Sequence, residues 1–260
     1  MKLITTIFLL LAIGLLSSCS SNEPKETTDS VNTGTTDIKK NDTLLPFSGY
    51  WVNEEYYNSI NKFKSPRKAQ DNGEFIFIPE RALKPTMMIT GFHEGGPYLA
   101  VVKGADDFQL WEMQDDSLTG KLNNITIVAE NKIKIGNTSF IKINPEADDE
   151  QGALVLEEIL FKGIYTNAEG EIIEFKNNGE ISGLADYQTY KPVIDYIGPG
   201  MQVDQVGFSR QGKEPEMFGF KFSNDTLNIY KLNCTTRDAA SKECAEVEFG
   251  KLAYQLWRKK

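Results

Sequence analysis

Residues 45–51 read LPFSGYW and residues 159–165 read ILFKGIY; whether the second stretch repeats the first decides the fold. Phe47, Gly49 and Trp51 match Phe161, Gly163 and Tyr165 at an offset of 114. A second anchor agrees: Gly136, Phe140 and Ile143 match Gly250, Tyr254 and Trp257 at the same offset. Between the anchors the register slips to 106, where Asn72-Gly73-Glu74 aligns with Asn178-Gly179-Glu180. That slip places about eight extra residues early in the first copy, and predicts their recovery later in the second, in the loop bounded by Cys234 and Cys244. The spacing predicts an internal duplication.

Each copy reads as all-β. Apolar and aromatic residues alternate in EFIFIP, YLAVV, FQLWEM, ITIVAE and SFIKI of the first copy. They do so again in GIYTN, IIEFK, QVGFS, FGFKF, TLNIYKL and AYQLW of the second, with turn residues between them. Roughly eight short strands in about 97 residues fit a small up-and-down barrel closed on itself. A seven-stranded sandwich is the alternative, and the Cys and Trp spacing of an immunoglobulin domain is missing. One segment, NEEYYNSINKFKSPRKAQ, places Tyr56, Tyr57, Ile60 and Phe63 at helical spacing, with Asn53 as cap and Ser65-Pro66 as stop. A short helix there, between the first two strands, would lie across one end of the first barrel. It would either complete the core or gate a ligand.

The N-terminus carries an address. Lys2 precedes an almost wholly apolar run from Leu3 to Leu16, too short to span a bilayer and typical of a secretory signal. The run ends in Leu16-Ser17-Ser18-Cys19, which resembles the bacterial lipobox. The resemblance implies cleavage before Cys19, lipidation of its sulfur and acylation of the new amino group, a combination of chains that anchors stably. Residues 20–43 hold no aromatic and almost no apolar residue, so they cannot bury enough surface to fold. As a flexible coil they would span about 27 Å, a tether holding the folded part off the membrane.

Charge and cysteine usage agree with that address. Loss of Lys2 leaves 27 of the 28 basic residues against 37 acidic ones, which argues against nucleic-acid and anionic-surface partners. With Cys19 assigned to lipid, Cys234 and Cys244 remain, enclosing a polar run. In an oxidising compartment they are expected to form a disulfide, contributing about 3 kcal/mol by loop entropy. Two widely spaced Cys with no His nearby make a poor zinc site.

Gly49-Tyr50-Trp51 resembles the G-x-W motif of the lipocalin and calycin superfamily, in which the Trp closes the barrel base. The resemblance implies a basic residue from the last strand packed on that ring. Arg258, after Trp257, is placed to do this over Tyr165, and the first copy has Lys142 in the corresponding region. The whole resembles the tandem lipocalin-like lipoproteins of bacterial envelopes such as those of Bacteroidota. The organisation expected is a signal peptide over 1–18, lipidated Cys19 and tether over 19–43, and a first lipocalin-like barrel over 44–143. An acidic linker over 144–157 and a second barrel over 158–260 complete it. The location implied is the outer membrane, on its periplasmic face or at the cell surface.

No catalytic, metal or cofactor signal stands out. The one histidine, His93, sits beside Gly95-Gly96-Pro97 and reads as a loop residue rather than a catalytic base. Adjacent acids recur at Glu54-Glu55, Asp106-Asp107, Asp115-Asp116 and Asp148-Asp149-Glu150, and none has the spacing of a calcium loop. What remains is aromatic: Phe218, Phe220 and Phe222 share one face of a strand, and Phe208 lies nearby in sequence. In a barrel they point inward, either as ordinary core or as the wall of an apolar ligand site. The functional expectation is a non-catalytic envelope protein that binds a small apolar or amphipathic ligand or an envelope partner. The alternative is a protein-binding inhibitor or accessory subunit with filled barrels, and a hydrolase comes last.

Overall fold

A computed structural model describes residues 43–90, 96, 98–144 and 154–260. The expected signal peptide, Cys19, the tether up to residue 42, His93 and residues 145–153 of the linker lie outside the described residues.

The first copy forms eight antiparallel strands: β1 (Gly49–Asn53), β2 (Glu74–Ile78), β3 (Pro85–Thr90), β4 (Tyr98–Lys103), β5 (Phe108–Gln114), β6 (Ser117–Ala129), β7 (Lys132–Ile135) and β8 (Thr138–Ile143). Sequence neighbours pair, and β1 returns to pair with β8, so the barrel is closed. Alternation sends one set of side chains inward: Trp51, Ile76, Leu99, Val101, Leu110, Ile133 and Phe140 join one buried cluster. The turn between β5 and β6 is Asp115-Asp116, both with positive φ (48° and 59°). That is the conformation whose twist suits a two-residue hairpin, and Asp tolerates it better than most residues.

The second copy repeats the order with β9 (Gly163–Thr166), β10 (Ile172–Phe175), β11 (Ile181–Ser182), β12 (Thr189–Pro192), β13 (Gln205–Ser209), β14 (Glu216–Ser223), β15 (Thr226–Arg237) and β16 (Cys244–Arg258). Its sheet runs β11-β10-β9-β16-β15-β14-β13-β12, so a seam falls between the third and fourth strands. An isolated bridge between Glu180 and Thr189 spans the seam. Hydrogen bonds from Tyr190 N to Gly179 O (2.8 Å) and from Ile181 N to Gln188 O (3.0 Å) reinforce it. The protein is therefore built of two tandem β-barrels, one closed and one nearly so.

Strand pairing corrects the repeat register. Trp51 pairs with Ile76, and Tyr165 with Ile173. The offset thus drops from 114 at the first strand to 97 at the second, an early insertion of 17 residues rather than eight. Asn72-Gly73-Glu74 leads into β2, whereas Asn178-Gly179-Glu180 turns from β10 to β11. The two triplets match only because Asn-Gly recurs wherever a chain must turn. At the last strand Trp51 pairs with Lys142 and Tyr165 with Arg258, an offset of 116 instead of 114. The residues are recovered in the final hairpin, as the Cys spacing predicts: its strands run 12 and 15 residues, against 4 and 6 in the first copy.

The insertion is helical. Asn53 Oδ1 accepts from Glu55 N (2.8 Å) and Tyr56 N (3.3 Å), starting α1 (Glu54–Phe63) with two acids in its first turn. Lys64, left-handed at φ 51°, ends it. Ser65-Pro66 stops α1 but also begins α2 (Pro66–Ala69), with Ser65 Oγ accepting from Lys68 N at 3.3 Å.

The destination of α1 differs from the expected plug of the first barrel. Tyr56 and Ile60, both fully buried, belong to a cluster containing Phe161, Tyr165, Phe175 and Phe208 of the second copy. Tyr50, Val52, Phe75 and Ile143, which point out of the first barrel, join the same cluster. Burying Ile60 alone contributes about 1.5–3 kcal/mol. The end of the linker is equally committed. Leu154–Leu156 and the π-helical turn Glu157–Phe161 are largely buried, so the first three residues of ILFKGIY are helical rather than strand. Arg67 N donates to Asp204 Oδ1 (3.0 Å) and Asn177 Nδ2 to Asn144 O (3.0 Å), tying the copies further. The first barrel has a core of its own. The second shares its core with α1.

Candidate functional site

The two barrel bases are built alike. Gly49 (φ 118°) and Gly163 (φ 148°) occupy backbone conformations that side chains avoid, and each lies beneath the basic residue of its last strand. A Cβ at Gly49 would lie 3.2 Å from Lys142 Cε, and one at Gly163 would lie 3.7 Å from Arg258 Cζ. Two residues on, Trp51 Nε1 donates to Phe47 O at 2.9 Å, and Tyr165 OH donates to Phe161 O at 2.9 Å. A Trp and a Tyr thus bond the carbonyl four residues back, in each copy.

The basic partners differ in reach. Lys142 Nζ lies 5.7 Å from the Trp51 ring, and Arg258 Cζ lies 5.2 Å from the Tyr165 ring. Arg258 also donates to Tyr165 OH from Nε (3.1 Å) and Nη2 (2.6 Å), and from Nη2 to Leu160 O (2.7 Å). Burial raises the Tyr165 hydroxyl pKa, with the Arg258 charge opposing it. Gly49 and Trp51 thus lie beneath Lys142, and Gly163 and Tyr165 beneath Arg258. They fasten the first strand of each copy to its last, with the rings buried.

The aromatic face proves to be packed solid. Phe208, Phe218 and Phe220 are each 0% exposed. Phe208 meets Phe218 at 5.5 Å between centroids, and Phe161 meets Phe220 at 4.9 Å and Phe222 at 5.7 Å. Phe222 is partly buried against the same cluster. Atoms lining a void large enough for water would retain accessible surface, and these rings have none. Tyr187 covers the face, packing on Phe208 (5.4 Å) and Phe218 (6.2 Å).

Tyr187 is held by a polar cluster that sequence reading missed. Its hydroxyl donates to Glu216 Oε2 (2.5 Å), and Arg210 Cζ stacks 4.1 Å over its ring. Arg210 pairs with Asp186 (2.6 Å) and Glu216 (3.2 Å), and Lys231 also contacts Glu216. Lys231 and then Tyr187 hold the Glu216 carboxyl down at about 2. These residues come from β14, β15 and two separate loops, so no local motif announces them.

The adjacent acids that are described lie at turns and at the starts of elements. Glu54-Glu55 is the first turn of α1, Asp115-Asp116 is a hairpin turn, and Asp107 Oδ1 accepts from Gln109 Nε2 (3.0 Å). Asp148-Asp149-Glu150 falls outside the described residues. Cys234 and Cys244 are joined in a disulfide, with Cα atoms 5.7 Å apart, on the exposed outer part of the β15–β16 hairpin. Among the described residues no group of three His, Cys, Asp or Glu side chains could hold a metal ion, and no helix is long and apolar enough to cross a membrane.

Fold and site together define the class: a tandem pair of small antiparallel barrels, each fastened at its base by a basic residue over an aromatic ring. No family model, curated protein or solved structure matches the chain.

Proposed function

We propose that this protein is a non-catalytic, lipid-anchored envelope protein of the tandem lipocalin-like kind, acting as an accessory or inhibitory subunit that binds a protein partner through its outer surfaces. The observation that carries this reading is the packing of Phe208, Phe218 and Phe220 at zero exposure, which favours a filled second barrel over a lumen that hosts an apolar ligand. A small-molecule site ordinarily needs a pocket of about 300 Å³ or more, and these rings leave no such space beside them. The Leu16-Ser17-Ser18-Cys19 sequence supports anchoring to the outer membrane, and the tether supports display at a distance from it.

Native mass spectrometry of protein extracted from its own envelope tests the reading. The expected mass is that of the chain from Cys19 with its acyl groups, alone or with a stoichiometric protein partner. A co-purifying small apolar molecule retained in the barrels would overturn it, and so would a mass without acyl groups.

A further inference from the structure

An open cleft of about 380 Å³ lies where the helical insertion of the first copy meets the second barrel. Lys64, Arg67 and Lys68 line it from the insertion and Lys221 from β14, and the one carboxylate among its lining residues is Asp204. The protein as a whole carries a formal charge of −9, so four cations against one acid is a local reversal of sign. Phe63, Phe222 and Phe249 add aromatic wall.

Two details indicate that the positive charge is not already spent within the protein. Arg67 Nε is buried and has no hydrogen-bond partner among the described residues. A buried guanidinium N–H normally has an acceptor, so this one has an unfilled requirement. Asp204, whose Oδ1 takes the Arg67 backbone N–H at 3.0 Å, offsets at most one of the four cations.

We propose that this cleft binds a small organic anion, a phosphate monoester joined to an apolar or aromatic group. Arg67, Lys68 and Lys221 face the phosphate, and the Phe side chains flank its apolar part. A dianion suits a site with a surplus of cations, and a guanidinium fork matches phosphate oxygens. The volume falls within the range of small-ligand pockets, about 300–1,000 Å³, and junctions between domains are where such pockets concentrate. The cleft opens outside the barrels, with Phe222 reaching it from the edge of the second core, and the proposal does not depend on the partner-binding reading. Its chemistry is shared by soluble phosphate esters and by phosphomonoester lipid head groups.

Calorimetric titration of the full chain with phenyl phosphate tests the proposal, with inorganic phosphate and phosphatidic acid vesicles as further arms. Saturable one-to-one binding of phenyl phosphate is expected, tighter than that of inorganic phosphate. Lys68→Glu and Lys221→Glu, both at exposed positions, should each weaken it about tenfold or more. Asp204→Asn should tighten it, and Lys134→Glu on the first barrel should leave it unchanged. Vesicle binding lost with the same two Lys substitutions would assign the site to a lipid head group; its absence alongside phenyl phosphate binding would assign it to a soluble ester. Absence of saturable binding in every arm overturns the proposal. So does binding indifferent to Lys68→Glu and Lys221→Glu in variants whose circular dichroism is native.

Discussion

The two copies share a fastening and differ in what it holds. In the first, Lys142 over Trp51 closes a barrel whose interior is mainly aliphatic and entirely its own. In the second, Arg258 over Tyr165 closes a barrel lined with Phe and Tyr, whose core continues into α1 and the outer wall of its neighbour. A base motif needs only a glycine, a ring and a cation in register, so two barrels with different cores can share it. A core can be rebuilt around it so long as volume is filled. The 17-residue insertion makes the relation unequal, because α1 belongs to the first copy in sequence and to the second in packing.

Substitution at the bases should reveal the inequality. Trp51→Ala should cost about 3–5 kcal/mol in urea unfolding, the price of an emptied core site plus a lost indole bond to Phe47 O. Loss of under about 1 kcal/mol would mean that the first base is not closed by that ring. Next in size is the Cys234–Cys244 staple. Replacing both by Ser should lower stability by about 3 kcal/mol, with mass spectrometry of the unreduced protein confirming the pair beforehand. If the hairpin tip frays alone and the global transition does not move, the staple serves only the arm.

Arg258→Ala should cost about 2 kcal/mol, since it removes the stacked cation and the bond to Leu160 O. Arg258→Lys, which copies the first base, should recover roughly half of that. Equal loss in the two variants would show that the carbonyl bonds rather than the charge over the ring do the fastening.

Much of this architecture was legible in the residues, and the illegible parts have physical causes. Period-2 alternation marked most of the strands, and the Phe47/Phe161 and Trp51/Tyr165 pairs marked the repeat, because each ring bonds the carbonyl four residues back in the same way. The α1 spacing of Tyr56 and Ile60 announced an apolar stripe without saying against what it would lie. Phe218 and Phe220 were readable as inward-facing, but alternation fixes direction and is silent on whether the interior is full. The basic cleft was invisible, because Arg67, Asp204 and Lys221 meet only after two barrels have folded around a helix.

The central claim is that α1 is a structural part of the second barrel, and residue-resolved hydrogen exchange on the full chain carrying Ile60→Ala tests it most directly. The cavity should cost about 2–5 kcal/mol. The account predicts that this loss of protection falls on Val206, Phe208 and Ile229, while Val101, Leu110 and Ile133 of the first barrel keep most of theirs. Loss confined to Val101, Leu110 and Ile133, with the second barrel unaffected, would contradict it.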